Sequence, residues 1–165
     1  MTRIHITGNA GSGKSTLAAH VGSVLDLPIN GLDEVVWLPG WKKSPPSRRD
    51  ALEDALVSRS SWVIEGVSQK VLQSADVVIL LDVDRPTAYY RCAKRNWRYL
   101  FRSRPGMPHD CPELLIIPYL VRMIWNFPVK VQPRLIQAAQ SGNAKFFHVR
   151  NRSDIETALS ELGAS

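Results

Sequence analysis

Short apolar runs alternate along the chain with segments in which apolar residues recur every three or four positions. Continuous apolar runs are typical of strands buried on both faces of a parallel sheet, whereas the second pattern is typical of amphipathic helices. Strands are predicted at 2–7, 29–33, 62–64, 75–82 and 146–149. Because helical segments separate them, the pattern favours an α/β fold with five parallel strands and right-handed crossovers.

The predicted helices follow from apolar spacing and from capping residues. The clearest one spans about 84–101, and Asp84 is its expected N-cap. Capping boxes at 47–50 and 153–156 predict two further helix starts. Residues 113–140 predict shorter helical pieces, because prolines interrupt the apolar pattern at 118, 128 and 133.

Composition predicts one soluble domain. The chain has 165 residues, of which 44% are apolar and 22% charged, as in an average globular protein and unlike a disordered one. Its two cysteines exclude a disulfide framework and indicate a reducing compartment. No secretory signal is recognised, and the longest apolar run, 114–121, is far shorter than the ~20 residues of a membrane span. We therefore expect a single cytoplasmic domain, 1–165, without a membrane partner.

The positive charge of the chain is concentrated in one segment. The formal net charge is +6, from 21 basic and 15 acidic residues. Residues 91–104 contain six of the basic residues and no acidic residue, so the remainder of the chain is balanced at 15 against 15. A local excess of this kind indicates a polyanionic partner, such as a nucleotide or a nucleic acid.

A glycine-rich motif stands between the first predicted strand and the first predicted helix. Residues 8–15 fit G-x-x-x-x-G-K-[ST]. In such a loop successive N–H groups point at phosphate oxygens, Lys14 reaches the β/γ-phosphates, and Ser15 ligates Mg²⁺. A chance turn rich in glycine and serine is the alternative. The predicted ATP-binding residues are Gly8, Asn9, Ala10, Gly11, Ser12, Gly13, Lys14, Ser15 and Thr16.

These and further motifs resemble the adenylate-kinase-like P-loop kinases over nearly the whole chain. Within that group the chain is most similar to the DNA topology modulation proteins. The residues that carry the resemblance are Gly8 to Thr16, Leu32-Asp33 with Trp37, Gly40 and Trp41, Trp62 to Gly66, Ala75 to Val78, Leu81-Asp82, Arg91, Arg95 and Cys111-Pro112-Glu113.

The resemblance implies a three-layer P-loop NTPase fold with a five-stranded parallel sheet and a basic helical lid at about 96–133. It implies ATP on the P-loop and an acceptor held opposite. It also implies that the acid ending the third strand helps to organise Mg²⁺. That position is commonly Asp in these kinases, and it is Glu65 in this chain.

A second implied group is a pair of arginines. In adenylate-kinase-like enzymes, arginines nine and thirteen residues after the aspartate that ends the fourth strand contact nucleotide, and counting from Asp82 gives Arg91 and Arg95. Together with Arg98 and Arg102 they share one predicted helix face. Guanidinium groups bind phosphate bidentately and stack on bases. The alternative is a solvated helix face.

The acceptor site is predicted from three residues. Asp33 ends the second predicted strand at the carboxyl edge of the sheet, where open α/β sheets bind ligands. There it could orient an acceptor hydroxyl or act as a general base, and its alternative role is a cap or turn residue. Trp37 and Trp41 could stack on a base or a sugar, and the alternative for both is the core.

The function that follows is an ATP-dependent phosphotransferase of the nucleotide or small-molecule kinase type. Its expected catalytic residues are Lys14, Glu65, Arg91 and Arg95, its expected metal ligands are Ser15 and Glu65, and its partners are ATP and a small acceptor. The alternative is a nucleic-acid-associated, ATP-binding factor that affects DNA topology through the arginine-rich segment. A nucleotide-binding regulator without turnover is a third hypothesis.

Overall fold

A five-stranded parallel sheet forms the centre of the computed structural model, which describes residues 2–163. The strands of the chain are β1 (Arg3–Gly8), β2 (Ile29–Gly31), β3 (Trp37–Leu38), β4 (Lys42–Lys43), β5 (Trp62–Glu65), β6 (Val77–Leu81) and β7 (Lys145–Val149). The order across the sheet is β2-β5-β1-β6-β7, and each neighbouring pair is parallel. The predicted α/β class and its five strands are thus confirmed. The remaining strands, β3 and β4, form a small antiparallel hairpin that the sequence pattern does not reveal.

Helices connect the strands and cover both faces of the sheet. They are α1 (Lys14–Val24), α2 (Leu32–Val36), α3 (Pro46–Val57), α4 (Gln69–Ser74), α5 (Arg85–Asn96), α6 (Glu113–Asn126), α7 (Gln132–Ser141) and α8 (Arg152–Leu162). Short 3₁₀ turns occupy Pro39–Trp41 and Trp97–Tyr99, and a π-helical segment at Phe127–Val131 joins α6 to α7.

The core lies on the two faces of the sheet, as expected for strands that are covered on both sides. All five residues of β6 are buried. Since side chains alternate along a strand, Val78 and Leu80 join the cluster that includes residues of α4 and α7, whereas Val77, Ile79 and Leu81 join the cluster that includes residues of α1.

The predicted interruption of 113–140 by prolines is wrong. Glu113–Ser141 is one continuous helical run. Pro118 lies inside α6, Pro128 lies in the π-helical segment, and Pro133 lies in the first turn of α7. Pro128 lies where the hydrogen-bond spacing changes and Pro133 lies shortly after that change, so their missing N–H groups fall where the regular i−4 pattern is already interrupted. By length and composition alone the run is apolar enough to cross a membrane, since an 18-residue window within it has a mean hydropathy of 1.4.

Two predicted capping boxes and one strand end are also wrong. Pro45 is the N-cap of α3, so the motif at 47–50 lies within the helix. Asn151 caps α8 through a hydrogen bond from the Asp154 backbone N–H, two residues before the start of the predicted box at 153–156. The second strand stops at Gly31 rather than at residue 33. Asp84, in contrast, is the N-cap of α5 as predicted.

One ionisable group lies in the centre of the sheet. His5 on β1 is fully buried, and its Nε2 lies 3.1 Å from the Gly66 carbonyl oxygen. Burial lowers the pKa of His5 to about 4. The unfolded chain therefore binds a proton at His5 near pH 6.5 that the folded protein does not bind until about pH 4.

We expect this difference to make the fold sensitive to acid. Between pH 7 and pH 5 the free energy of unfolding should fall by about 2 kcal/mol more in the native protein than in His5→Gln, which cannot take up the proton. Urea unfolding at several pH values measures this difference. His20→Gln, at an exposed position, should keep the native pH dependence, and a parallel decline in all three proteins would contradict the role of His5.

Candidate functional site

The glycine-rich motif forms a loop between β1 and α1, as predicted. Gly11 and Gly13 have positive φ angles of 74° and 98°, which L side chains rarely adopt. At Gly11 there is also no room for a side chain, because a Cβ atom would lie 2.5 Å from the Ala88 carbonyl oxygen. The loop therefore passes directly over α5, and glycine is required at this point.

The start of α1 is open to an anion. Gly13 is the N-cap and provides no side-chain cap, and the first turn of the helix contains no acidic residue. Ser15 and Thr16 are exposed in that turn. Free backbone N–H groups and the positive end of the helix dipole both favour a phosphate group here.

The loop is fastened to the rest of the protein by a buried asparagine. The side-chain nitrogen of Asn9 (Nδ2) donates to the Ile124 carbonyl of α6 at 3.0 Å. The side-chain oxygen of Asn9 accepts a hydrogen bond from the Ala10 backbone N–H at 2.8 Å. The Lys14 ammonium donates to the Asn9 carbonyl at 2.8 Å, so the lysine is held against the loop. In this structure Asn9 thus shapes the loop through its side chain.

Charged groups surround Lys14. Burial lowers the pKa of Lys14 from its ordinary value, whereas the carboxylates of Glu65 and Asp33 raise it and the guanidinium of Arg95 lowers it. Glu65 ends β5 and Asp33 lies in α2, so groups from separate elements converge on the lysine.

Two cavities adjoin the loop and share a wall. The aromatic cavity, of about 230 Å³, extends to Trp37, Trp41 and Tyr119. The P-loop cavity, of about 420 Å³, extends along the start of α1 to Thr16 and Arg91. The residues that line both cavities are Gly11, Lys14, Ser15, Asp33, Glu65, Arg95 and Arg104.

The four arginines that were predicted to share a helix face have different surroundings. Arg95 lines both cavities, and Arg91 lines the P-loop cavity and donates to the Ser12 carbonyl at 3.4 Å. Arg98 and Arg102 line neither of these cavities. Because α5 ends at Asn96, they lie in and after the 3₁₀ turn, where Arg102 donates to the Arg98 carbonyl.

Asp33 lies at the predicted edge but on another element. It belongs to the first turn of α2, because β2 ends two residues earlier. Its carboxylate lines both cavities and accepts a hydrogen bond from Arg104 at 2.9 Å. The prediction that Asp33 ends a strand is therefore wrong, because Asp33 lies at the start of a helix. Asp33 nevertheless lines the candidate site.

Trp37 and Trp41 line the aromatic cavity, which is the position required for stacking on a ligand rather than for packing in the core. The Trp37 ring makes edge-to-face contacts with Trp41 and with Tyr119, at centroid distances of 5.3 and 5.7 Å. The Trp41 indole N–H donates to the Pro112 carbonyl at 2.8 Å. The hairpin of β3 and β4 is thus attached to the segment before α6, and both tryptophans are fixed at the cavity wall.

Sequence reasoning missed three residues of the aromatic cavity. The sequence pattern includes Arg104 only as part of the basic segment 91–104 and Glu113 only as part of a motif, and it does not indicate Tyr119. Arg104 Nε lies 2.9 Å from Glu113 Oε1, and Glu113 is completely buried. An acidic residue at the start of an apolar helix was the available signal for Glu113, since such a charge requires a partner when it is buried.

The residues at the shared wall fit a magnesium ion bound together with phosphates. No cluster of three or more His, Cys, Asp or Glu side chains that could hold a metal occurs within residues 2–163. Mg²⁺ does not need such a cluster, because it keeps several waters and takes one or two protein ligands together with substrate phosphates. The Ser15 hydroxyl and the Glu65 carboxylate, which line the same cavities, are oxygen donors of the required kind.

The tight passage of the loop over α5 gives a test by substitution. Gly11→Ala combines an unfavourable φ with a clash against the Ala88 carbonyl, whereas Gly13→Ala has the same type of φ but open space around its Cβ. We expect Gly13→Ala to lower the Tm by about 4 °C, from the ~1–2 kcal/mol cost of the left-handed conformation. Gly11→Ala should lower it by at least twice as much, and equal shifts in thermal unfolding would contradict the packing described here.

Comparisons with known proteins show the fold. No protein-family model matches the chain, and neither does any curated protein. Shikimate kinase from Acinetobacter baumannii in complex with shikimate is 15% identical, with a TM-score of 0.63 over 98% of this chain and 91% of that chain. Deoxyadenosine kinase from M. mycoides with bound dCTP is 19% identical, with a TM-score of 0.53 over 98% and 99%.

A gluconokinase from Sinorhizobium meliloti 1021 is 14% identical, with a TM-score of 0.52 over 98% of this chain and 91% of that chain. At these identities the likeness concerns the arrangement of strands and helices. The chain therefore has the adenylate-kinase-like P-loop kinase fold that the sequence motifs predict.

Proposed function

We propose that the protein is an ATP-dependent phosphotransferase that acts on a small-molecule acceptor. The observation that carries this proposal is the wall shared by the two cavities, which contains Lys14. A phosphoryl donor in the P-loop cavity and an acceptor in the aromatic cavity would meet at this ammonium group. Phosphoryl transfer requires positioning and charge neutralisation more than covalent chemistry, and this arrangement supplies both.

The donor half of the site neutralises phosphate charge. The backbone N–H groups at the start of α1 bind the phosphates of the donor, and the Lys14 ammonium reaches oxygens of its β- and γ-phosphates. Arg91 and Arg95 project from α5 toward the same cavity, where each guanidinium can bind phosphate with two hydrogen bonds. Ser15 and Glu65 would hold Mg²⁺, which supplies further neutralisation of the phosphates when it is bound.

The acceptor half of the site orients a hydroxyl group. The carboxylate of Asp33 lies at the shared wall, so it can accept a hydrogen bond from an acceptor hydroxyl and direct its oxygen toward the donor phosphate. The segment 96–133 closes this side through Arg104 and Glu113, and we propose that it acts as a lid which excludes water. Exclusion of water favours transfer over hydrolysis.

The finer family placement and the compartment stay predictions. Similarity to the DNA topology modulation proteins is carried by the sequence motifs, and a cytoplasmic location by composition. The arginine-rich segment does not require a nucleic acid to explain it, because Arg91, Arg95 and Arg104 already line the candidate site.

ADP formation from ATP separates the proposed functions. A kinase forms ADP when a suitable small acceptor is added, and DNA does not stimulate it. DNA-stimulated hydrolysis with a steep salt dependence, and no transfer to any of a broad set of acceptors, would instead favour the nucleic-acid-associated factor. ATP binding without ADP under either condition would favour a regulator.

Lys14→Ala tests the donor half of the site. We expect phosphoryl transfer to fall at least about a hundredfold, because a preorganised positive donor is removed from the developing charge. The Tm should change little, since the hydrogen bond of the ammonium is to a carbonyl of the loop itself. Lys94→Ala, at an exposed position of α5, is the matched control and should retain activity. Full activity of Lys14→Ala in a coupled ADP assay would overturn the assigned role.

Arg95→Ala tests whether α5 acts on the transition state. We expect kcat to fall by about a hundredfold with a smaller change in ATP affinity, because the guanidinium at the shared wall faces the transferred group. Arg98→Ala, on the adjacent 3₁₀ turn, is the control and should behave as the native protein. Weaker ATP binding with an unchanged kcat would show that Arg95 serves only to anchor the nucleotide.

A further inference from the structure

The aromatic cavity contains a charge arrangement that selects its occupant. Beyond the wall shared with the P-loop cavity, the charged residue that lines it is Glu113. Glu113 and Asp33 both contact Arg104, at 2.9 Å each, so two carboxylates face one guanidinium. This group of three residues has a formal charge of −1 when both acids are ionised.

The positive charge of Arg104 is already offset by two carboxylates. Its Nη2 donates to Asp33, and its Nε faces Glu113. The other cations of the cavity, Lys14 and Arg95, lie at the shared wall and are assigned to the phosphate donor under the proposed function. An anionic group on the acceptor would therefore meet carboxylates, and none of the described residues that line the cavity beyond the shared wall carries a positive charge.

Glu113 is a polar group of the cavity with unused hydrogen-bonding capacity. It is completely buried, and neither of its side-chain oxygens accepts a well-directed hydrogen bond from residues 2–163. Burial raises the pKa of this carboxyl group, whereas Arg104 lowers it. Even a protonated Glu113 would leave the group of three neutral rather than positive. A buried oxygen without a directed donor is costly, and a hydroxyl group of a ligand would satisfy it.

The opposite wall is aromatic. The rings of Trp37, Trp41 and Tyr119 are arranged edge to face, and Lys43 Nζ lies 5.4 Å from the centre of the Tyr119 ring. The two indole rings can therefore pack against the C–H face of a saturated ring. The volume of about 230 Å³ lies below the ~300 Å³ at which sites for drug-sized ligands begin. Carboxylates on one side and aromatic rings on the other suit a compact molecule with several hydroxyl groups.

We propose that the phosphoryl acceptor is an uncharged polyhydroxyl compound, and that Glu113 and Asp33 select it by accepting hydrogen bonds from its hydroxyl groups. This inference rests on the proposed function. In the reaction an acceptor hydroxyl oxygen forms a bond to the γ-phosphorus of ATP, and the bond from that phosphorus to the β,γ-bridging oxygen breaks. ADP leaves, and the hydroxyl proton passes to Asp33 and then to solvent. Glu113 determines specificity by holding a second hydroxyl.

Matched probes that differ in charge test the proposal. Calorimetry on the full chain, saturated with a non-hydrolysable ATP analogue and Mg²⁺, compares glucose with gluconate, ribose with ribose 5-phosphate, and deoxyadenosine with its 5′-monophosphate. We expect at least one neutral probe to bind, and to bind at least tenfold more tightly than its anionic counterpart. Tighter binding of an anionic member, or no binding by any neutral probe, would overturn the proposal.

Substitution of the carboxylates should shift this preference. In Glu113→Gln the ratio of neutral to anionic affinity should fall at least tenfold, because the group of three residues then has a formal charge of 0 instead of −1. Asp33→Asn should shift the ratio in the same direction, and it serves as the second variant because Asp33 is largely exposed and should tolerate the change. Asp110→Asn, at an exposed position before α6, should leave the ratio unchanged. An unchanged ratio in folded Glu113→Gln and Asp33→Asn would overturn the assignment.

Binding and turnover separate the two levels of inference. Failure to transfer phosphate to any bound probe would contradict the proposed function, whereas the charge preference is decided by the binding measurement alone. Transfer to gluconate or to ribose 5-phosphate in preference to the neutral sugars would leave the kinase assignment intact and overturn the acceptor class.

Discussion

The parallel pairing of β1 with both of its neighbours determines where every candidate catalytic group lies. Ile6 is in register with Glu65 of β5, and Gly8 is in register with Leu81 of β6. Because parallel strands end at one edge of the sheet, this register places the beginning of the P-loop beside the acid of β5 and beside the strand that leads into α5. The backbone hydrogen bonds of the sheet thus bring the P-loop, Glu65 and the start of α5 together. This placement does not depend on contacts between their side chains.

The parts of the fold that are determined by residues close together in the sequence were predictable. Strands with continuous apolar runs, the glycine loop and the Asp84 cap each have their cause within a few positions, so the sequence contains the necessary information. The prolines of the run from 113 to 141 were misleading for the opposite reason. A proline removes one backbone hydrogen bond but need not end a helix. Pro128 lies in the π-helical segment at Phe127–Val131, where the hydrogen-bond spacing changes and the buried Phe127 gives tertiary support, whereas Pro118 lies within regular α-helix.

The candidate site was predictable on its donor side and only partly on its acceptor side. The P-loop is contiguous, whereas the acceptor cavity joins α2, the hairpin of β3 and β4, the segment around Arg104 and the start of α6. Helical periodicity placed four arginines on one face but could not show that α5 ends at Asn96. The pairing of Arg104 with Glu113 joins residues that no short motif connects, and it became visible only when both ends of that segment were placed in three dimensions.

The length of α6 has a mechanical consequence. The helix has 14 residues, so it is about 21 Å long, with Glu113 at one end and the π-helical segment next to the other. Phe127 is anchored in the core, and a bend in this region is most easily absorbed where the hydrogen-bond spacing already changes. A pivot of only about 5° at that point displaces the far end of such a rod by about 2 Å, which is enough to make or break a hydrogen bond. A small change of angle at the π-helical segment would therefore move Glu113 far enough to alter its contacts in the aromatic cavity.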